Sequence, residues 1–157
     1  MAVQPIPEGY HSLSPYLAVD DAEKAIDFYK RAFGATERYR FSMPDGRVGH
    51  AELQIGDSFL MLSDPFEEAT SKPPKELGGT SFGIFLYVED VDETVQRAVD
   101  SGATLDQPVE DMFWGDRYGK VTDPFGHQWL MATHVEVVSM EEIAKRGQEA
   151  MASQEAG

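Results

Sequence analysis

The sequence predicts an α+β fold. Two βαβββ units form a curved eight-stranded mixed sheet around a concave cleft, with helices on the convex side and a C-terminal helix added. Three observations predict it. The run Arg47–Asp64 (RVGHAELQIGDSFLMLSD) returns without gaps as Arg117–His134 (RYGKVTDPFGHQWLMATH), which puts Gly49 on Gly119, Gly56 on Gly126, Leu60 on Leu130 and Met61 on Met131. Upstream, YLAVDDAEKAIDFYKRAFGAT from Tyr16 answers FLYVEDVDETVQRAVDSGAT from Phe85, with one residue of slippage inside the helix. Within each copy the hydrophobic spacing reads strand, helix, then three strands. A sheet with one helix on one face leaves its other face open, so two copies side by side leave a concave face for a ligand.

The elements follow in order. His11 to Val19 is a strand ending in Asp20-Asp21, either of which can cap the next helix, with Glu23 placed as a capping-box partner. In that helix Ala22, Ala25, Ile26, Tyr29, Ala32 and Phe33 keep a 3.6-residue beat, and Gly34 ends it. Thr36 to Met43 and Val48 to Gln54 are strands joined by the turn Pro44-Asp45-Gly46, and Gly56-Asp57 leads into Ser58 to Ser63. The second unit repeats the plan: a strand over Phe82 to Val88, a helix capped by Asp90 with Val91, Val95 and Val99 inside, and Gly102 as its stop. Thr104 to Phe113 is a weak strand interrupted by Pro108, and two more strands flank Asp123-Pro124-Phe125-Gly126. Ser139 and Glu142 form a capping box for a terminal helix carrying Met140 and Ile143, with ASQEAG frayed at the end. The chain thus divides into a first unit (10–64), a connector (65–80), a second unit (81–135) and a C-terminal helix with its tail (136–157).

Composition bounds the function. With 157 residues, 41% hydrophobic and 26% charged, the chain is neither disordered nor membrane-spanning, and no apolar run approaches the roughly 18–20 residues a bilayer requires. The N-terminal MAVQPIPEGYH lacks a basic segment leading into an apolar stretch, so a cytoplasmic protein is expected. A formal net charge of −15 argues against nucleic acid and anionic membrane surfaces as partners. The absence of cysteine removes disulfides, thiol nucleophiles and thiolate metal sites. There is no P-loop, no HExxH and no GxSxG.

The openings LAVDDAEKAIDFYKRAFGA and LYVEDVDETVQRAVDSGA, with the closing VTDPFGHQWLMATH, resemble the vicinal-oxygen-chelate superfamily of glyoxalase I, extradiol dioxygenases and bleomycin-resistance proteins. SPYLAV, MPDGRVGHAELQIGDSFLMLSD and FWGDRYGKVTDPFGHQW resemble its PhnB-like branch. The resemblance covers about Tyr10 to Arg146 and specifies the fold better than the reaction. It implies a metal held by one residue from the first strand and one from the last strand of each unit, usually His or Gln early and Glu late. Those positions fall on Ser14, Gly83, Leu60 and Leu130, and neighbouring Phe59, Met61, Trp129 and Met131 are no better donors. A divalent ion needs several converging His or carboxylate donors. No metal is therefore expected at the usual position, and no cofactor, which argues against glyoxalase and dioxygenase chemistry. Relatives of this type also imply a homodimer, with units paired within a chain or exchanged between chains.

Alternation assigns the cleft. In Val48 to Ile55 the apolar Ala51, Leu53 and Ile55 suit the helix side, with Phe59 and Met61, so His50 and Glu52 point into the cleft near Leu60 and Leu62. The repeat assigns Lys120 and Thr122 to the matching places near Leu130. Ser14, Tyr16 and Phe85 complete the expected ligand-binding set from the first strands, and Trp114 from the turn beside Phe113 and Tyr118. His50 and Glu52 could move a proton as an acid–base pair, hold a displaced metal with a third residue, or simply hydrogen-bond a ligand. Lys120 could offset an anionic group. His127 and Gln128 are expected to be exposed, Arg47 and Arg117 to pair with local acids, and His11 and His134 to have no ligand role. Three functions remain: a small-molecule binder, a metal-free isomerase or lyase using His50 and Glu52 or an atypically metallated glyoxalase- or dioxygenase-like enzyme, or a dimeric scaffold with a vestigial cleft. The missing metal ligands and the apolar Leu60, Leu62 and Leu130 favour the first.

Overall fold

Asp21 and Asp90 start the two long helices in the same way, each side chain accepting the backbone N–H three residues on, from Lys24 at 3.1 Å and Glu93 at 2.9 Å. They begin α1 (Ala22–Phe33) and α3 (Val91–Asp100), and Gly34 ends α1 in the left-handed conformation with φ +66°. Strand β1 (Tyr16–Ala18) precedes α1, and β2 (Thr36–Ser42), β3 (Val48–Ile55) and β4 (Ser58–Ser63) follow it. The connector holds a four-residue helix, α2 (Pro74–Leu77), that the sequence reading lacked. The second unit is β5 (Gly83–Tyr87), α3, β6 (Thr104–Asp111), β7 (Asp116–Thr122) and β8 (Gln128–His134), and α4 (Met140–Glu155) closes the chain. This computed structural model describes residues 3–155, so Ala152 to Glu155 of the expected frayed tail are helical and the last two residues lie outside.

The eight strands are divided between two four-stranded mixed sheets, ordered β1-β4-β3-β2 and β5-β8-β7-β6. In each, the first and last strands pair in parallel and the rest are antiparallel. Strand β1 is shorter than its sequence pattern because Pro15 lacks the N–H that would extend the ladder, though its carbonyl still accepts Met61 N–H at 3.0 Å. In β6 the register shifts between Leu105 and Gln107 and between Gln107 and Glu110, around Pro108, whose missing N–H leaves the ladder open.

Helix α1 joins the two units. Its Tyr29 and Phe33 rings lie 5.3 and 4.4 Å from Trp129 of β8, and Phe28 meets Phe125 edge-on at 6.3 Å. Trp129 is 1% exposed and belongs to one core that draws on both units. Inside that core Asp123 accepts Tyr29 O–H at 2.7 Å and Trp129 Nε1–H at 2.9 Å on one oxygen, and the backbone N–H groups of Phe125 and His127 on the other. Four donors make this buried carboxylate tolerable. Burial and the Asp123 charge push the Tyr29 hydroxyl well above its usual pKa. His127 is buried rather than exposed, its Nε2 donating to the Ala18 carbonyl at 2.9 Å. The turn that seemed to present it to solvent is instead packed against the first unit.

Helix α4 buries no residue fully. Arg146 anchors it, pairing with Glu136 at 2.9 Å and Glu142 at 3.1 Å and donating to the Phe113 carbonyl. Among the described residues, no helix is long and apolar enough to cross a membrane.

Candidate functional site

Register decides which side chains share the open sheet faces. Ile55 pairs with Ser58 across a two-residue hairpin in which Gly56 has φ +58°, the sign a type II′ turn demands at its first central position. Across that turn Glu52 faces Met61 and Gln54 faces Phe59, so even-numbered residues of β3 share a face with odd-numbered residues of β4. Phe59 and Met61 therefore lie on the face of His50 and Glu52. Leu60 and Leu62, expected in the cleft, lie on the opposite face with Leu53 and Ala51 and are buried against the helices. A one-residue change of parity moves every side chain of a strand to the other face.

The second hairpin is longer. Thr122 pairs with Gln128 across five residues, Lys120 with Leu130 and Tyr118 with Ala132, so even faces even. The gapless repeat consequently slips after the turn: Tyr16 pairs with Met61 as Phe85 pairs with Leu130, so the counterpart of Leu130 is Met61 and not Leu60. Helix N-termini agree. Ala22 N–H donates to Asp64 at 2.8 Å and Val91 N–H to Thr133 at 2.9 Å, making Thr133 the counterpart of Asp64.

On the first open face the side chains form a connected chain. Tyr10 O–H donates to Glu52, whose other oxygen lies 3.1 Å from His50 Nε2, and His50 Nδ1 lies 3.0 Å from the Tyr16 hydroxyl. The Tyr16 and His50 rings stack at 5.5 Å. Tyr10 holds the Glu52 carboxyl below the usual carboxylate range, with His50 adding to the effect, and the same bond raises the Tyr10 hydroxyl. Beside them the N-terminal segment roofs a recess of about 540 Å³ lined by Pro5, Ile6, Tyr10, Ser14, Glu52 and Met61. Tyr10 was not among the expected site residues, and no local pattern marks a contact across 42 positions.

The second open face is aromatic. Phe85 stacks on Tyr118 at 6.1 Å and lies 5.0 Å from Tyr87, and Trp114 meets Tyr118 edge-on at 5.8 Å. Lys120 and Leu130 are directly opposite one another here, with Phe85 beyond Leu130. Thr122 shares the face, but its hydroxyl donates to Asp106 at 2.6 Å. Asp116, 3% exposed, receives Tyr87 O–H and Trp114 Nε1–H at 3.0 Å each on one oxygen and faces His134 Nδ1 at 2.8 Å on the other. Burial, then Asp116, raises the Tyr87 hydroxyl, and burial alone raises that of Tyr118. Asp116 and Tyr87 were not among the expected site residues, although Tyr87 alternates with Phe85 and so shares its face by strand period.

Gly115 sets this corner. Its φ is +101°, and a Cβ there would sit 2.3 Å from the Glu136 carbonyl oxygen. The Gly115 carbonyl accepts both Val135 and Glu136 N–H, fixing Trp114 and Asp116 against the end of β8. Arg47 and Arg117 lie outside both clusters, paired with Asp45 and with Asp92 and Asp111.

Corrected for register, the four positions that the resemblance would assign to a metal are Ser14, Met61, Gly83 and Leu130. A hydroxyl, a thioether, a hydrogen and an alkyl chain do not fit a divalent ion. No group of three His, Cys, Asp or Glu converges among the described residues.

Residues 10–131 match the family Glyoxalase/Bleomycin resistance protein/Dioxygenase superfamily. The chain is 49% identical over 146 residues to the protein Mb0911c of Mycobacterium bovis, covering 91% of this chain and 93% of that one. Among solved structures, TioX from Micromonospora sp. ML1 superposes with a TM-score of 0.63 at 30% identity, over 80% of this chain and 99% of TioX. TnmS3, an antibiotic binding protein from Streptomyces sp. CB03234, gives 0.60 at 26% identity, over 85% and 98%. Two βαβββ units and this match across most of the sequence make the chain a member of the glyoxalase/bleomycin resistance protein/dioxygenase superfamily.

Proposed function

We propose that the protein is a PhnB-like, homodimeric binder of a small planar organic ligand, held on the open sheet faces without the metal that relatives use. One observation carries this reading: the aromatic group Phe85, Tyr87, Trp114 and Tyr118 lines the second open face, where Leu130 stands at a position the resemblance would assign to a metal ligand. Ring faces recognise flat ligands by stacking, at roughly 0.5–1.5 kcal/mol per aromatic pair beyond buried area. Lys120, on the same face, suits an anionic substituent. The likeness to TnmS3 supports an antibiotic-like ligand.

A thermal-shift screen of planar antibiotics tests the reading. A concentration-dependent rise in Tm that Trp114→Ala and Phe85→Ala weaken supports it, and silence across the screen sinks it. Elemental analysis after dialysis tests the metal claim, which stoichiometric zinc, nickel, manganese or iron would overturn.

A second reading rests on the chain Tyr10–Glu52–His50–Tyr16. A carboxylate hydrogen-bonded to an imidazole at the floor of a recess can take a proton from a carbon acid and return it elsewhere, as an isomerase or lyase does. Solvent-deuterium incorporation into a bound ligand, abolished in Glu52→Gln, would establish it. Binding without exchange would leave the pair as ligand-positioning groups.

A further inference from the structure

Three side chains of different character converge on the buried Asp116 carboxylate, and the imidazole among them keeps a second ring nitrogen. Tyr87 and Trp114 spend their single donors on one oxygen. His134 spends Nδ1 on the other, and its ring is 55% exposed. In the neutral imidazole, an Nδ1–H directed at the carboxylate leaves Nε2 as an oriented hydrogen-bond acceptor. Nε2 has no partner among the described residues.

The surroundings say what it would accept. His134 lies opposite Asp116 across β7 and β8, on the face that carries Tyr118, Ala132, Lys120 and Leu130. The Tyr87 and Trp114 rings, tethered to the same carboxylate, form a wall beside it, and Phe85 and Tyr118 continue that wall along the sheet. Tyr87 and Trp114 spend their donors on Asp116, so those rings offer π-faces and His134 offers a ring-nitrogen acceptor. That combination matches a flat aromatic ring bearing a hydroxyl.

We propose that Asp116 and His134 form a subsite for the hydroxyl of a planar phenolic ligand. His134 Nε2 accepts the phenol O–H, Asp116 positions the imidazole, and Tyr87 and Trp114 hold the ring. The proposal rests on the planar-binder reading and narrows its ligand class.

Two probes of nearly the same shape test it: 2-naphthol, which carries the donor, and 2-methoxynaphthalene, which does not. Isothermal titration against the full chain should show 2-naphthol binding about threefold to tenfold more tightly, as one hydrogen bond to a positioned acceptor implies. His134→Ala should keep the fold, with a modest fall in Tm from the lost bond to Asp116, and bind the two probes equally. Asp116→Asn should reduce the preference without removing the affinity for 2-methoxynaphthalene, which depends on the rings. Trp114→Ala should weaken both probes alike. Equal binding of both probes to the wild type, or a preference that survives His134→Ala, overturns the hydroxyl subsite and leaves the planar-binder reading standing. Binding of neither probe overturns the subsite, and silence of the planar antibiotics as well removes both readings.

Discussion

The two open sheet faces descend from one repeated plan and carry opposite chemistry. In the first, Glu52 and His50 are linked through Tyr10 and Tyr16 into a polar chain beside a recess. In the second, Lys120 stands opposite Leu130 where the first has Glu52 opposite Met61, and the polar chain gives way to an aromatic wall tied to Asp116. Near-identity survives where the scaffold needs it: both helices open with an aspartate cap, and Asp64 and Thr133 serve the same backbone N–H. The open faces diverge most in chemistry, since a side chain can change there without emptying the core.

That contrast can be broken most forcefully at the joint between the units. Trp129→Ala should cost roughly 3–5 kcal/mol in urea unfolding, because it opens a cavity against Tyr29 and Phe33 and orphans one donor bond to Asp123. A loss below about 1 kcal/mol would mean that the units do not share a core. Next comes the register of β4. Leu60→Ala should cost roughly 2–5 kcal/mol, while the half-buried Met61→Ala should cost under about 1 kcal/mol. The reverse order would restore the gapless repeat and put Leu60 back in the cleft.

Asp116→Ala should destabilise by roughly 1–3 kcal/mol, since Tyr87 and Trp114 lose their shared acceptor. Glu52→Ala on the other face should cost less, because that carboxylate has water within reach. The smallest effect is a pH dependence. Tyr10 and His50 lower the Glu52 pKa from its ordinary 4.5, so the stabilisation is fully present above that value and is lost as pH falls through the lowered one. Wild type should therefore lose Tm faster than Tyr10→Phe as pH falls below about 4.5. Parallel curves would dissociate Tyr10 from Glu52.

Much of the fold was legible in the residues. Asp21, Gly34 and Asp90 marked helix ends because capping is local chemistry, decided within four residues. His50 and Glu52 were readable as one face of β3 because alternation is local too. The assignment of Leu60 and Leu62 failed for a reason that the sequence did contain. A two-residue turn at Gly56-Asp57 fixes opposite parity across the hairpin, whereas the five-residue turn at 123–127 does not, and gapless similarity hid the difference. His127 and Asp123 were not legible, because their partners Ala18 and Tyr29 lie 109 and 94 positions away.

The sequence by itself determined the two βαβββ units with their caps and turns. Each of these depends on residue identity and short-range geometry. Tertiary structure alone decided that α1 would bind Trp129 and Asp123 of the other unit, that Tyr10 would meet Glu52, and that Tyr87, Trp114 and His134 would converge on Asp116. Those contacts join residues whose proximity is set by how sheets and helices pack, and no local preference encodes that packing.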